Sequence, residues 1–350
     1  MPIRVYDFFS GCGGTSTGLR AAGMHIVLGI DFDPDAAETY RRNFPRAHFI
    51  EDDINNVPTD GLEEYGGANP RGLRLFSCCA PCQSFSILNR NRDYNDERAG
   101  LLLEFARFVE YYLPDLIFLE NVPGVRAIDV TGGPFVEFEA LLRELGYDLD
   151  YDIVESQEYG VPQRRRRFIL MASRLGEITL PLPTHGPNTD NPDYPTVWQA
   201  IGHLPPIAAG ERHPHIPNHQ SAGLTNINLR RLRATPVGGG RLAWPEALRL
   251  NCHRDYDGHT DVYGRLRPNE PATGLTTRCI SISNGRFGHP YQHRAISARE
   301  GACLQTFPMT FIFEGSLTAV ARQIGNAVPV LLAQRVGDRF IEHAREHGFR

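Results

Sequence analysis

Short apolar runs alternate with helix-patterned segments over about the first 175 residues, and this alternation constrains the fold more than any other feature. The strand-like runs cover residues 4–9, 26–32, 73–78, 116–119, 151–155 and 168–172. Between them, Pro34 suits a first helical turn, and apolar residues from Leu101 to Tyr112 fall at helical spacing. This order predicts an α/β fold with a doubly wound, mostly parallel sheet, in which the last two runs pair as a hairpin.

A change in composition marks a second region. Thirteen of the chain's 26 prolines lie between residues 181 and 271, with three consecutive glycines at 238–240. Such a segment disfavours regular helices and central strands. We therefore predict a large domain over residues 1–178, an inserted small irregular domain over 179–294, and a C-terminal segment over 295–350 that rejoins the large domain.

Charge is unevenly distributed along the chain. The net charge is −5, yet residues 160–300 contain 18 Arg against 10 acidic residues, and nine of the 13 His. A basic segment on an acidic body is typical of proteins that contact phosphates. All the basic residues are Arg, however, so compositional bias contributes to the pattern.

The cysteines and the hydropathy indicate a reducing, cytoplasmic setting. Seven cysteines at irregular spacing do not form a secreted disulfide framework. No apolar run is long enough to span a membrane, and the N-terminus lacks the pattern of a signal peptide. Cys79 and Cys82 form a C-x-x-C that has no second pair at zinc-finger spacing, so we predict no metal.

Two strand ends carry residues suited to catalysis. Cys82 follows the run 73–78 on a turn made rigid by Pro81, and Glu120 ends the run 116–119. Open α/β folds bind their ligands at this carboxyl edge of the sheet. Cys82 alone fits a small buried apolar residue better, but a thiol beside a carboxylate suggests a nucleophile and an acid.

The first strand leads into a glycine-rich turn that fits a ligand with a negative group. Gly11, Gly13 and Gly14 open the first helix, but Ser16 stands where a dinucleotide fingerprint needs glycine. Asp31 ends the second strand, where an acid can accept both ribose hydroxyls. Asp53 follows a third short run, where its carboxylate is placed to accept an adenine amino hydrogen.

Five motifs together resemble those of the C5-cytosine DNA methyltransferases, in the family's order and spacing, from about residue 3 to about residue 335. They are Asp7-Phe8-Phe9-Ser10-Gly11-Cys12-Gly13-Gly14, Pro81-Cys82-Gln83, Glu120-Asn121-Val122, Gln163-Arg164-Arg165-Arg166-Arg167 and Gly325-Asn326-Ala327-Val328-Pro329. The resemblance implies an S-adenosylmethionine-dependent methyltransferase fold with a small DNA-recognition domain.

The resemblance also implies the cofactor residues. S-adenosylmethionine, which leaves as S-adenosylhomocysteine, would be bound by Phe9, Gly11, Gly13, Gly14, Asp31, Phe32, Asp53, Ile54, Leu101, Asn326 and Ala327. One position departs from the family, which often has Glu-Trp where this chain has Asp31-Phe32.

The implied chemistry is covalent. Cys82 would add to C6 of a cytosine flipped out of duplex DNA, Glu120 would act at N3 and the amino group, and Arg165, on one strand face with Arg167, would stabilise charge at O2. Predicted DNA contacts are Pro81, Gln83, Ser86, Leu88, Arg98 and Asn121, and in the small domain Arg241, Arg249 and Arg254. Leu88 fits two roles equally well, a wedge inserted into the DNA helix and a residue packed on the sheet.

Three alternatives stay open on the sequence. The same chemistry on tRNA fits one branch of the family, although the long Arg- and Pro-rich middle region favours duplex DNA. A DNA-binding relative without activity is disfavoured by the presence of Cys82, Glu120 and Arg165, and a dehydrogenase is least favoured. A cognate restriction endonuclease acting at the same site is an expected partner of a bacterial or phage enzyme of this kind.

Overall fold

Strands and helices alternate as the sequence predicts in the computed structural model, which describes residues 2–66, 72–80, 100–128, 133–187, 190–253, 258 and 260–349. The strands are β1 (Ile3–Phe8), β2 (His25–Asp31), β3 (His48–Glu51), β4 (Leu73–Cys78), β5 (Leu116–Asn121), β6 (Asp148–Glu155), β7 (Gln163–Arg164), β8 (Arg166–Ser173) and β9 (Ala272–Thr273). The helices are α1 (Gly14–Ala21), α2 (Pro34–Asn43), α3 (Glu63–Gly66), α4 (Leu101–Tyr112), α5 (Pro134–Glu144), α6 (Val197–Ile201), α7 (Asn226–Arg233), α8 (Ala298–Leu304), α9 (Leu317–Asn326) and α10 (Val330–Glu346).

Seven of these strands form one sheet in the order β3-β2-β1-β4-β5-β8-β6. The first five are parallel, and β8 runs antiparallel to both β5 and β6, which confirms the predicted hairpin-like pair. The strand order reverses direction between β1 and β4, and such a switch point is where open α/β sheets bind ligands. The predicted fold class is therefore confirmed.

The chain divides into two compact units. The large unit comprises Met1–Glu155, Arg166–Pro183 and Val328–Arg350, and the small unit comprises Ser156–Arg165 and Thr184–Ala327. These limits differ from the sequence-based boundaries at three places, because residues 156–165 and 295–327 group with the small unit and residues 179–183 group with the large unit. The return to the large unit therefore begins at Val328.

The large unit has an aromatic core beside the switch point. Phe8 on β1 packs against Phe76, Phe105 and Phe108, with ring centroids 5.0–5.2 Å apart. Phe8, Phe76, Phe105 and Phe108 are fully buried. A core of this kind fixes β1 and β4, the two strands whose ends carry the candidate site.

Helix α10 lies directly against α1 within the large unit. A Cβ atom on Gly18 would meet the backbone of Val330 and the side chain of Ala333, so only glycine permits this approach. On the facing side, a Cβ on Gly337 would meet Ala22 and Leu19. The helix that follows the glycine-rich turn is thus held by the last helix of the chain.

The small unit is irregular, as its composition predicts. Its regular elements are the short helices α6 to α9 and the two-stranded pair of β7 with β9. Its interior contains a buried ion pair, in which Glu300 accepts from Arg294 Nη1 at 2.7 Å and Nη2 at 2.6 Å. None of the helices among the residues described is long and apolar enough to cross a membrane.

Candidate functional site

The register of the central strands places four residues of the candidate site side by side. Phe8 is aligned with Ile30 on β2 and with Cys78 on β4, and Cys78 is aligned with Leu119 on β5. The next residue on each strand therefore lies in one row at the carboxyl edge of the sheet. The row consists of Phe9, Asp31, Cys79 and Glu120.

The glycine-rich turn has a backbone conformation that glycine adopts more easily than other residues. Gly11 and Gly13 have φ values of 51° and 91°, in the left-handed region, and Gly13 caps the start of α1. A Cβ on Gly13 would collide with the ring of Phe44, whereas a Cβ on Gly11 would have no atom within 4 Å. The surface over Gly11 is therefore open enough for a ligand to approach the backbone.

Phe9 also has a left-handed backbone, with φ of 54°, although it is not glycine. Non-glycine residues in this region cost free energy and occur often at ligand sites. The Phe9 side chain is half-buried and packs against the main core of the large unit. In the row it lies between Asp31 and Cys79, and the ring contact implied for it stays a prediction.

Asp31 holds the turn by its side chain. Oδ2 accepts the N–H of Gly11 at 2.8 Å, and Oδ1 accepts the N–H of Asp33 at 3.0 Å. Burial raises the pKa of Asp31, and these hydrogen bonds oppose the rise. The carboxylate therefore fixes the glycine-rich turn against the end of β2.

The other predicted cofactor residues of the large unit differ in exposure. Phe32 is 63% exposed, and Asp53 is exposed with its Oδ1 accepting from Asn55 N at 2.9 Å. Ile54 is buried, and Leu101 is half-buried against the same core. Phe32 therefore offers an exposed ring after β2, and Asp53 offers an exposed carboxylate after β3.

Glu120 is paired with Arg167. Arg167 Nε donates to Glu120 Oε1 at 2.7 Å, and the two side chains are only 16% and 10% exposed. The antiparallel strand β8 makes this possible, because Phe168 is aligned with Asn121 and Arg167 therefore lies at the edge where β5 ends. Asn121 Nδ2 also donates to the carbonyl of Ala80 at 3.4 Å, two residues before Cys82.

Arg165 has a different set of partners. Its Nη1 donates to the carbonyl of Leu275 at 2.9 Å, and its Nη2 donates to the carbonyls of Gly325 at 3.0 Å and Ala327 at 3.4 Å. Arg165 is buried in the small unit, whereas Arg167 belongs to the large unit. The prediction that the two arginines share one strand face is wrong, because Arg165 lies between β7 and β8 and only Arg167 makes the ion pair with Glu120.

The turn after α9 carries the remaining cofactor candidates. Asn326 is exposed and Ala327 is buried. A Cβ on Gly325 would collide with the backbone of Thr276 and Thr277, so the turn is fixed against that segment of the small unit.

The arginines predicted to read DNA do not share one environment. Arg241 is buried at 4% exposure, and its Nη2 donates to the carbonyl of Gly258 at 2.8 Å. The prediction of Arg241 as a DNA contact is therefore corrected, because its guanidinium stabilises the fold from inside. Arg249 is exposed, beside Glu246 at 3.4 Å, and remains a candidate.

Several predicted residues lie outside the part of the chain that the structure describes. They are Pro81, Cys82, Gln83, Ser86, Leu88, Arg98 and Arg254. The described residues closest in sequence to Cys82 are Cys79 and Ala80. Burial, followed by the charges of Glu120 and Asp7, raises the pKa of the Cys79 thiol well above its usual value, which disfavours Cys79 itself as a thiolate.

Sequence reasoning assigned no role to one buried acid of the large unit. Asp7 on β1 is fully buried and accepts hydrogen bonds from Ser16 Oγ at 2.6 Å and Ser77 Oγ at 2.9 Å. Burial raises its pKa to about 6. An acid near the end of a mostly apolar strand was the available signal.

The chain is similar to known proteins over nearly its whole length. Residues 3–342 match the family model described as C-5 cytosine-specific DNA methylase. The Type II methylase M.HgiDII of Herpetosiphon aurantiacus is 39% identical over 98% of this chain and 97% of its own length. The Type II methyltransferase M1.HphI of Haemophilus parahaemolyticus is 32% identical over 98% of this chain and 87% of its own.

Solved structures share the fold. A prophage protein of E. coli, described as a DNA modification methyltransferase, superposes with a TM-score of 0.77 at 23% identity, covering 97% of this chain and 99% of that one. The Dnmt2 methyltransferase of S. pombe superposes with a TM-score of 0.64 at 18% identity over the full length of both chains.

Proposed function

The chain belongs to the C-5 cytosine-specific DNA methylase family, and on this premise we propose that it methylates C5 of a cytosine in duplex DNA through a covalent bond between Cys82 and C6. The observation that carries the mechanism is the ion pair of Glu120 with Arg167 at the sheet edge. In sequence, Cys82 comes three residues after Cys79, which lies in the same edge row.

Cys82 makes the ring reactive. Its thiolate adds to C6, which moves electron density toward C5, N3 and O2 and gives C5 the character of an enamine. Glu120 holds a proton at N3 and accepts from the exocyclic amine, which distinguishes cytosine from uracil. Once C5 carries the transferred methyl group, loss of the C5 proton to water restores the C5–C6 double bond and releases Cys82 as a thiolate.

Arg167 is the cation that we assign to the developing charge at O2. It touches Glu120 directly, and its guanidinium is mostly shielded from water, where electrostatic stabilisation is strongest. We assign Arg165 to holding the turn at Gly325–Ala327 instead, because its two Nη atoms donate to main-chain carbonyls there and at Leu275.

S-adenosylmethionine supplies the methyl group when bound. Asp31 would accept the ribose hydroxyls, Phe9 and Phe32 would contact the adenine ring, and Asp53 would accept its amino hydrogen. The open backbone at Gly11 would approach the methionine part, with Gly13 and Gly14 shaping the turn. Ile54 and Leu101 stay candidates for the same pocket, and the cofactor contacts of Asn326 and Ala327 stay predictions.

The cofactor proposal predicts a thermal shift. S-adenosylhomocysteine at 100 times its Kd should stabilise the protein by about 2.7 kcal/mol. Asp31→Ala should weaken binding about tenfold or more, because a hydrogen bond to a charged group is worth roughly 1.5–3 kcal/mol. Glu38→Ala, an exposed acid on α2, is the matched control. A shift with NAD and none with S-adenosylhomocysteine would support a dehydrogenase instead.

The covalent step predicts a trapped adduct. Duplex DNA with 5-fluorocytosine at the target should remain bonded to Cys82 when S-adenosylmethionine is present, because fluorine at C5 cannot leave as a proton. Peptide mapping by mass spectrometry should find the bond on Cys82, and Cys82→Ser should give no adduct. The matched control is Cys252→Ser, an exposed cysteine of the small unit. Methylation by Cys82→Ser at the wild-type rate would contradict the mechanism.

The substrate and partner need a separate comparison. The named relatives are Type II methylases, so we propose a restriction–modification role with a cognate endonuclease specific for the same sequence. Methyl transfer to duplex DNA should exceed transfer to tRNA, and mapping 5-methylcytosine in DNA from expressing cells should give one short recurrent sequence. Transfer to tRNA alone would favour the RNA branch of the family.

A further inference from the structure

Asp7 is a buried carboxylate that joins two elements of the candidate site. Its side chain is fully buried one residue before the end of β1. Oδ2 accepts from Ser16 Oγ at 2.6 Å and Oδ1 accepts from Ser77 Oγ at 2.9 Å. Burying a carboxylate costs free energy even when it is hydrogen-bonded, so an apolar residue would serve stability better.

The two serines belong to different parts of the site. Ser16 lies in the first turn of α1, directly after the glycine-rich turn Gly11–Gly14. Ser77 is the penultimate residue of β4, five positions before Cys82. Tyr40 on α2 adds a third element, because its hydroxyl is 2.8 Å from Ser16 Oγ.

A second link runs beside the first. Thr15 Oγ1 lies 3.3 Å from Cys79 Sγ, so the residue before Ser16 on α1 contacts the edge residue that follows β4. The start of α1 is thus tied at two points to the strand that leads to Cys82. Any shift of the glycine-rich turn moves both contacts.

We propose that Asp7 is a positioning residue that, together with the Thr15–Cys79 contact, couples the glycine-rich turn to the segment carrying Cys82. Cofactor binding at the turn and addition of Cys82 to the base then assist each other. The inference rests on the functions proposed above for that turn and for Cys82.

The test measures coupling. The affinity of the enzyme for a duplex with 5-fluorocytosine at the target is determined by fluorescence anisotropy, with and without S-adenosylhomocysteine. The wild type should bind the duplex on the order of tenfold more tightly with S-adenosylhomocysteine, within the usual range of coupling between sites. This ratio should fall at least about threefold in Ser77→Ala and Thr15→Val, because each removes one link. It should also fall in Asp7→Asn, because a neutral amide replaces the charged acceptor of both serine hydroxyls.

The matched control is Thr17→Val. Thr17 is also a buried threonine of α1, but its hydroxyl donates to the carbonyl of Gly13 at 2.6 Å, within the same element. In Thr17→Val, the ratio of the duplex affinities with and without S-adenosylhomocysteine should equal that of the wild type, even if each affinity changes. A purely structural role of Asp7 would lower the melting temperature and leave the ratio unchanged.

Two results would overturn the proposal: a wild-type ratio of one, or wild-type ratios in Ser77→Ala and Thr15→Val. These two variants decide the question if Asp7→Asn does not fold. Adduct formation by the wild type with S-adenosylmethionine tests the covalent mechanism separately from the coupling. Absence of the adduct contradicts the mechanism, whereas variants that keep the wild-type affinity ratio contradict only the coupling.

Discussion

Glu120→Gln should lower kcat by about 10²- to 10⁴-fold, the range that positioned proton transfer contributes. Glutamine keeps the shape of the side chain but cannot hold the proton at N3. It also removes the negative partner of Arg167, whose Nε lies 2.7 Å from Glu120 Oε1. The measurement is single-turnover methyl transfer at saturating duplex and cofactor.

Glu104→Gln is the control for this change. Glu104 also pairs with an arginine of the large unit, Arg107 at 2.9 Å, but both side chains are about one-third exposed. Such pairs contribute little, so its kcat should stay near the wild-type value. A wild-type kcat in Glu120→Gln would show that Glu120 takes no part in the chemistry. A loss of activity that equals the loss of folded protein would show that Glu120 serves stability alone.

Glu300→Ala should destabilise the small unit by about 3–5 kcal/mol, the usual cost of removing one partner of a buried ion pair. Glu300 and Arg294 are 1% and 0% exposed. Glu300 also accepts the N–H of Ser297 at 2.7 Å, in the capping box that begins α8. Without the Glu300 side chain, the Arg294 guanidinium loses its carboxylate partner and the capping box of α8 loses one of its two hydrogen bonds.

Unfolding in urea measures this effect cleanly. The chain has two tryptophans, Trp198 and Trp244, and both lie in the small unit. Their fluorescence should show an earlier transition in Glu300→Ala. The control is Glu270→Ala, whose exposed pairs with Arg164 at 2.9 Å and Arg267 at 3.2 Å should contribute about 0–1 kcal/mol. Equal losses in the two variants would contradict the prediction.

The ion pair of Glu300 with Arg294 also determines how the stability of the protein changes with pH. Burial raises the pKa of Glu300, but the hydrogen bonds and charge of Arg294 outweigh it and hold the pKa below its usual value. Stability from this pair is therefore complete above the pKa of the unfolded chain. It is lost as pH falls through the lower pKa of the folded protein.

Local patterns predicted the large unit well. Apolar runs identified β1, β2, β4, β5, β6 and β8, and helical spacing identified α4, because both signals are contained in a few neighbouring residues. The edge position of Asp31 and Glu120 followed from strand order alone.

Long-range contacts explain what the sequence did not reveal. Arg165 groups with the small unit because its hydrogen bonds reach Leu275 and Gly325, more than 100 positions away. Arg241 was predicted on the surface because arginine usually lies there, yet the carbonyl of Gly258 allows it to be buried. Asp7 went unassigned because Ser16 and Ser77 meet it only in the folded sheet.

The close packing of α10 on α1 has a consequence for biosynthesis. Gly18 faces Val330 and Leu19 faces Gly337, so the first helix has its neighbour only after nearly the whole chain has left the ribosome. Long-range closure of this kind slows folding and favours intermediates. We expect nascent chains in which the small unit is already formed while the buried side of α1 still faces water.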